Sequence, residues 1–591
     1  MDRIWQKHYG TIPHDVTPRG TVVDLLHEAV AKWGDRPAFH GLTVSISFNE
    51  VDRLSRDVAA WLQANRLKKG DRVAVMMPNL LVHPVVSFGI IRAGGVQVNV
   101  NPLYTPRELA HQLNDSGAAT MIVFNQVTPT LAAVIDKTPV RTIITTGLFD
   151  LCDLQAPNPP VHPDVARRAV TLPQVLTEGR GLAFAPPDIA PDDLVFLQYI
   201  GGTTGLSKGA MLSHRNLVAN VDAFDAWIAA VSTPGEGVVI KALPLYHIFA
   251  LMVNFLSYFK LGARNILIAN PCDMPGFVKE WSKWRVTAFT GVNTLYNGLL
   301  HTPGLEACDF SGLTVTFGGG SATQRAVSDR WNAVTGMHIT EGYGLSETSP
   351  IVSANLLNAA EFTGTVRIPF PSTDIRILDD AGIEQGIDQP GEICIKGAQV
   401  MRGYWGREAE GDTVFTADGY FRTGDIATID ADGFIRIVDR KKDMVLVSGF
   451  NVFPNEVEDV LSSLPGPLES VCIRVPDDKT GDARTPYRRG RRVSSRRGGG
   501  RGGAVAASAA GAADRARRHP QREVAAVPVA TRLATGLRRR ADGDRRRAGP
   551  VFHPRGDIDL GDHWHHAGFQ RGDDAGGTGA GRYPAAPRAG L

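Results

Sequence analysis

Gln198-Tyr-Ile-Gly-Gly-Thr-Thr-Gly-Leu-Ser-Lys-Gly-Ala-Met-Leu-Ser-His-Arg-Asn216 is the stretch around which the rest of the chain is arranged. The apolar run Leu194-Val-Phe-Leu leads into it and reads as a buried strand. Gly201, Gly202 and Gly205 then let the backbone take conformations closed to other residues and come close to a ligand. Among them stand the hydroxyls of Thr203, Thr204 and Ser207, and the cation Lys208 closes the loop. Backbone N–H groups, hydroxyls and one ammonium on a tight loop suit a polyphosphate. A flexible turn is the blander reading, and the clustering of donors with a terminal lysine argues against it.

The loop is not a P-loop, because Ser207 stands where that motif needs a glycine before the lysine. Tyr-x-Gly-Gly-Thr-Thr-Gly-x-Ser-Lys-Gly-Ala instead resembles the phosphate-binding segment of the AMP-forming acyl-CoA synthetases, the adenylate-forming superfamily. One departure is visible: Ile200 occupies a place where that family usually carries a hydroxyl.

At 591 residues the chain exceeds one compact core, so two or more domains are expected. The net charge of +2 conceals two chemically different segments. From Arg484 onward there are 23 arginines against nine acids, which leaves the preceding part acidic. The five cysteines are scattered without a Cys-x-x-Cys pair, the pattern of free thiols in a reducing compartment. No secretory signal stands at the N-terminus, and no apolar run approaches the ~18 residues a membrane span needs. A cytoplasmic protein is expected, with peripheral contact at the inner face of the membrane as a route to an apolar substrate. Nothing in the sequence fixes an oligomeric state.

Working outward, Gly70-Asp-Arg-Val-Ala-Val-Met-Met-Pro78, Thr120-Met-Ile-Val-Phe and Arg141-Thr-Ile-Ile-Thr read as strands. Thr105-Pro-Arg-Glu108 is a capping box with proline at the first helical position, opening a helix that stops near Gly117. Strands separated by helix-length segments predict an α/β fold, a mostly parallel sheet with helices on its faces. Val238-Val-Ile-Lys-Ala-Leu-Pro-Leu-Tyr-His247 reads as a strand ending in an aromatic-polar pair, and Leu313-Thr-Val-Thr-Phe-Gly-Gly-Gly-Ser321 as a strand running into glycines. The apolar stretch from Ile248 to Phe259 walls an acyl tunnel or belongs to the core. Asp432-Gly433 and Ser448-Gly449 flank alternating apolar residues, a β-hairpin pattern. Val457, Val460, Leu461 and Leu464 share one helical face.

The resemblance holds from about residue 20 to Ala483 and is especially close to the long-chain fatty-acid–CoA ligases in Val-Asp-Arg-Lys-Lys-Asp-Met-Val-Leu-Val-Ser-Gly-Phe-Asn-Val. It implies a large ATP- and acyl-binding domain over residues 1–439 and a hinge with the start of a small α+β domain over 440–483. ATP, Mg²⁺ and coenzyme A are the implied cofactors and co-substrates, with a fatty acid as substrate. Carried over position by position, His247 lines the carboxylate end of the acyl pocket, Gly318, Gly319 and Gly320 receive adenine, and Tyr343 stacks on it. Ser346 bonds the α-phosphate and Glu347 holds Mg²⁺, a cation content with one or two carboxylates plus phosphate oxygens. Asp425 accepts the ribose hydroxyls, Arg440 contacts ribose or phosphate, Lys442 is the hinge, and Gly449 borders the coenzyme A channel. Thr203, Thr204, Gly205, Ser207 and Lys208 would hold the phosphates. A fatty-acyl-AMP ligase serving a carrier protein, and a non-catalytic binder of ATP and fatty acid, are the alternatives.

After Ala483 the pattern stops. The family continues to a late Pro-Lys-x-x-x-Gly-Lys segment whose lysine reaches the substrate carboxylate; here no lysine follows Lys479. Residues 484–591 are rich in Ala, Arg, Gly and Pro, too poor in large apolar side chains to close a core. A basic arm for nucleic acid or anionic lipid lacks the interleaved aromatics of a strand binder, so no nucleic-acid partner is expected. Asp562-His-Trp-His-His566 lacks flanking ligands for a metal site. Translation of a G·C-rich gene in a shifted frame is the reading favoured, and it implies impaired adenylation.

Overall fold

The loop expected to hold phosphate is the connection of an antiparallel hairpin. Leu194–Ile200 pairs with Lys208–Ser213 in a register that sets Ile200 opposite Lys208 and Gln198 opposite Ala210. Ser213 then caps the helix His214–Ile228, accepting the N–H of Asn216 while the Asn216 side chain accepts the N–H of Ser213. The hairpin ends a seven-stranded sheet ordered Ala169–Thr171, Thr142–Thr146, Thr120–Phe124, Arg72–Met76, Val96–Asn99, Leu194–Ile200, Lys208–Ser213. All of its neighbours but the last pair are parallel.

This computed structural model describes residues 3–152, 156–201, 207–357 and 361–441, and beyond these the backbone of 445–447, 450–452, 467–477 and 481–490. Contacts divide the chain into two units, one of Met1–Ser463 with Ile473–Arg484 and one of Leu464–Cys472 with Thr485–Leu591. Every side chain discussed belongs to the first. Among the described residues no helix is long and apolar enough to cross a membrane.

A second, nine-stranded sheet runs Ile368–Pro369, Ile351–Ala354, Thr340–Gly344, Val315–Gly318, Ala288–Gly291, Val238–Lys241, Arg264–Leu267, Pro37–Gly41, Val44–Ser47. Its six central strands are parallel and only its edges are antiparallel. Buried aromatic rings fill one of its faces, with Phe39, Phe48, Phe88, Phe255 and Phe259 in mutual contact. A second aromatic group, Trp281, Phe289, Tyr296 and Trp331, is knitted edge-to-face. A third sheet is antiparallel: Asp374–Leu378, Gly391–Lys396, Phe421–Ile429, Ile435–Arg440.

The capping box at Thr105 opens the helix Pro106–Ser116, which ends on Gly117 in the left-handed region. Two expectations are corrected. The strand from Val238 ends at Lys241, because the Asn79 amide takes the carbonyls of Lys241 and Leu243 while its own oxygen accepts the N–H of Leu245. The strands around the turn dipeptides form two antiparallel pairs rather than one, and Ser448-Gly449 itself lies outside the described residues. Asp432-Gly433 lies between Phe421–Ile429 and Ile435–Arg440, while Val445–Val447 pairs with Phe450–Val452. The strand Gly481–Gly490 carries regular backbone a few residues into the segment expected to be irregular. The expected helix near Val457–Leu464 lies outside the described residues.

Candidate active site

In the second sheet the parallel strands Val238–Lys241, Ala288–Gly291, Val315–Gly318 and Thr340–Gly344 all point their carboxyl ends the same way. That edge is where open α/β sheets bind ligands. His247, Gly318 to Gly320, Tyr343, Ser346 and Glu347 follow or end these strands.

An interior chain of amides ties the two sheets' contributions together. Gln97 donates to Asn99 at 2.7 Å, Asn99 to Gln198 at 2.9 Å, and Gln198 to the carbonyl of Tyr246 at 3.1 Å. All three side chains are buried, so each bond is made without competing water. The strand feeding the loop is thereby held to the residue before His247. Thr203, Thr204 and Gly205 lie outside the described residues. Ser207 is held through its carbonyl, 2.9 Å from His111 Nε2.

Lys208 leaves the end of the hairpin and meets a segment nearly 200 residues away. Its Nζ is 2.6 Å from Glu410 Oε2 and 5.4 Å from the centre of the Tyr404 ring. Tyr404 in turn donates its hydroxyl to Glu347 Oε1 at 2.6 Å. The segment Met401–Glu410 is fastened along its length. Gly403 accepts from the Met211 N–H, Trp405 donates to Gly209, and Met401 donates to the carbonyl of Glu347. Arg407 pairs with Asp115, which also accepts the Tyr199 hydroxyl at 2.6 Å. Glu347 is buried, and desolvation raises its pKa against the lowering effect of the Tyr404 hydrogen bond.

On the other side, Tyr343 donates its hydroxyl to Asp425 Oδ2 at 2.7 Å, and Arg440 Nε lies 3.7 Å from Asp425 Oδ1. Asp425 and Arg440 are opposite one another in the third sheet, which fixes that pairing through the backbone. Gly320 has φ +78°, a conformation strained for a side chain, and a Cβ on Gly319 would sit 3.2 Å from the Phe249 ring. The glycine strand is thus in contact with the segment that follows His247. His247 is exposed at its surface although protein atoms crowd around it. Burial draws its pKa below the ordinary 6.5, and Nδ1 accepts the Phe249 N–H at 3.3 Å. The neutral ring therefore carries its proton on Nε2. Ser346 opens the short helix Ser346–Thr348.

The structure therefore draws Lys208 and Glu347 into one group of contacts through Tyr404, and Tyr343, Asp425 and Arg440 into a second. A family model described as AMP-binding enzyme matches residues 26–405. A long-chain-fatty-acid–CoA ligase of Escherichia coli O6:H1 is 45% identical over 501 residues, covering 82% of this chain and 88% of that protein. The chain belongs to the AMP-binding enzyme family. A long-chain-fatty-acid–CoA ligase of Bacillus subtilis is 34% identical over 81% of this chain and 87% of its own length. Among solved structures, ATP-bound MatB from Rhodopseudomonas palustris superposes with a TM-score of 0.68 at 28% identity, covering 80% of this chain and 90% of that one.

Family membership does not by itself account for Tyr404, Glu410 and Asp115, which sequence reasoning missed. Met401-Arg-Gly-Tyr-Trp405 carries a glycine before an aromatic pair, the one local signal available, and it has no periodicity to mark it. Lys442 and Gly449 lie outside the described residues. Among the described residues no cluster of three or more His, Cys, Asp or Glu is placed to hold a metal, so a cation here would rest on few protein ligands. Glu347 fits Mg²⁺ on its own terms: it is a hard oxygen donor whose buried charge lacks enough compensation, as its raised pKa records.

Proposed function

We propose that this chain is an ATP-dependent acid–thiol ligase that activates a long-chain fatty acid and passes the acyl group to coenzyme A. A carboxylate is a poor electrophile because its charge is spread over two oxygens. One of those oxygens attacks the α-phosphorus of ATP, the bond to pyrophosphate breaks, and acyl-AMP forms. The thiol of coenzyme A then attacks the acyl carbon and AMP leaves. The observation that carries the reading is the single contact chain linking Lys208 and Glu347 at the strand ends, in a chain 45% identical to a long-chain-fatty-acid–CoA ligase.

Each role follows from the chemistry of the group. Lys208 neutralises phosphate charge together with the loop hydroxyls, an electrostatic contribution aimed at charge that moves during transfer. Glu347 would hold Mg²⁺, which would supply further neutralisation of the phosphates. Asp425, oriented by Tyr343 and Arg440, offers two oxygens to the ribose hydroxyls. The glycine strand leaves a flat surface for adenine. The Nε2–H of His247 is a donor for the fatty-acid carboxylate. An apolar substrate makes peripheral contact with a membrane a natural route of supply.

Adenylation by residues 1–591 is slow, because no lysine follows Lys479 to reach the carboxylate. Loss of one such donor costs about 10²–10³ in rate. ATP–pyrophosphate exchange measures it, and exchange at the rate of a complete relative refutes the impairment. The test of the site itself is Lys208→Met, which keeps length and removes charge. Affinity for a non-hydrolysable ATP analogue falls about tenfold or more. Unchanged affinity overturns the assignment.

A further inference from the structure

Glu410 occupies the ammonium of Lys208. Its carboxylate stands 2.6 Å from Lys208 Nζ, the place a phosphate oxygen would take. Many exposed lysine–glutamate pairs are chance encounters of mobile side chains. Here both partners are held. Lys208 is 23% exposed and lies over the Tyr404 ring, while Glu410 is 35% exposed. The residues before Glu410 are tied down by the Arg407–Asp115–Tyr199 contacts and by the Trp405 N–H on Gly209. Glu410 itself closes the short helix Glu408–Glu410, its N–H on the Arg407 carbonyl and its own carbonyl accepting from Thr413. Through Tyr404 the same segment also holds Glu347.

We infer that Glu410 is a phosphate-mimicking latch: it positions Lys208 in the nucleotide-free protein and must be displaced by the polyphosphate of ATP. This rests on the reading of Lys208 as a phosphate ligand. A latch of this kind lowers apparent ATP affinity by the strength of the pair it breaks. For a partly exposed ion pair that is up to about fivefold, and less at high salt.

The experiment is calorimetric titration of the full chain with a non-hydrolysable Mg·ATP analogue, with inorganic triphosphate and with adenosine. Glu410→Gln is expected to bind the first two about three- to fivefold more tightly and adenosine unchanged. Glu410→Asp, one methylene shorter, is expected to fall between wild type and Glu410→Gln. In the Lys208→Met background Glu410→Gln adds nothing, because the pair is already gone. If Glu410→Gln leaves triphosphate affinity unchanged or weakens it while Lys208→Met still loses affinity, the latch is refuted and the phosphate-binding assignment stands. If Lys208→Met binds as wild type, both fall. A shift in adenosine affinity equal to that for triphosphate also overturns the latch, since a general change in packing would produce it.

Discussion

Tyr404→Phe is the sharpest probe of the site because it deletes one atom and leaves the ring beneath Lys208 in place. The lost hydroxyl donates to Glu347 Oε1 at 2.6 Å within a buried setting. A hydrogen bond to a charged group is worth about 1.5–3 kcal/mol, more than a neutral pair, and its removal leaves a desolvated carboxylate short of a donor. Through RT ln K that is about a ten- to hundredfold loss, the range found when a partner that orients a metal ligand is removed. The assay is affinity for a non-hydrolysable ATP analogue measured across free Mg²⁺ concentrations, which does not depend on turnover. The Mg²⁺ midpoint should rise about ten- to hundredfold, while binding in chelator should change little. The pH dependence has a definite sign. The Glu347 pKa already lies above its ordinary value, and the Tyr404 donor opposes that rise, so the variant's pKa is higher still. Charge is lost as pH falls through it, and the defect should be larger at pH 6 than at pH 8. A folded variant whose Mg²⁺ midpoint stays within twofold of wild type at both pH values would refute the reasoning.

Lys241 is fully buried, its Nζ has no hydrogen-bond partner, and burial drives its pKa well below the ordinary 10.5. The unfolded chain holds that proton more tightly than the folded chain does, so Lys241→Met should stabilise the protein at pH 7. The gain should shrink by about 1.4 kcal/mol per pH unit toward 10.5, read from denaturant midpoints at several pH values. A gain independent of pH would place the charged lysine in the fold. For His247, whose pKa is lowered by burial, the acid limb of the fatty-acid KM profile should lie below pH 6.5. His247→Ala should raise that KM about tenfold while His247→Gln, which retains a donor, stays nearer wild type; an acid limb at or above 6.5 would contradict a neutral ring.

Local chemistry made much of this legible. The strand leading into the glycine loop, the capping box at Thr105 and the strand running into Gly318 each announce themselves within ten or so residues, because their determinants are apolar runs, caps and turn residues, whereas the returning strand Lys208–Ser213 was not read. The end of the strand at Lys241 was hidden, since it depends on the Asn79 amide 162 positions away. The segment after His247 forms a π-helix, Ala250–Ser257, with every residue buried. A run that is apolar on all sides has no face to reveal its period, and so no helix could be read there. Tyr404 and Glu410 were invisible for a related reason. Their meaning comes from Lys208 and Glu347, and nothing in their own neighbourhood encodes it.

The amide relay from Gln97 through Asn99 and Gln198 to the Tyr246 carbonyl has one more consequence. With Lys208 and His247 in the roles proposed for them, it would work as an internal ruler between the phosphate end and the carboxylate end of the reaction. The strand that feeds the loop is held at a fixed distance from the Tyr246 backbone by buried bonds in the interior of the protein. Surface loops can then drift, or be redesigned for other acids, without misaligning attack, whereas trimming a single interior glutamine would put the reaction out of register.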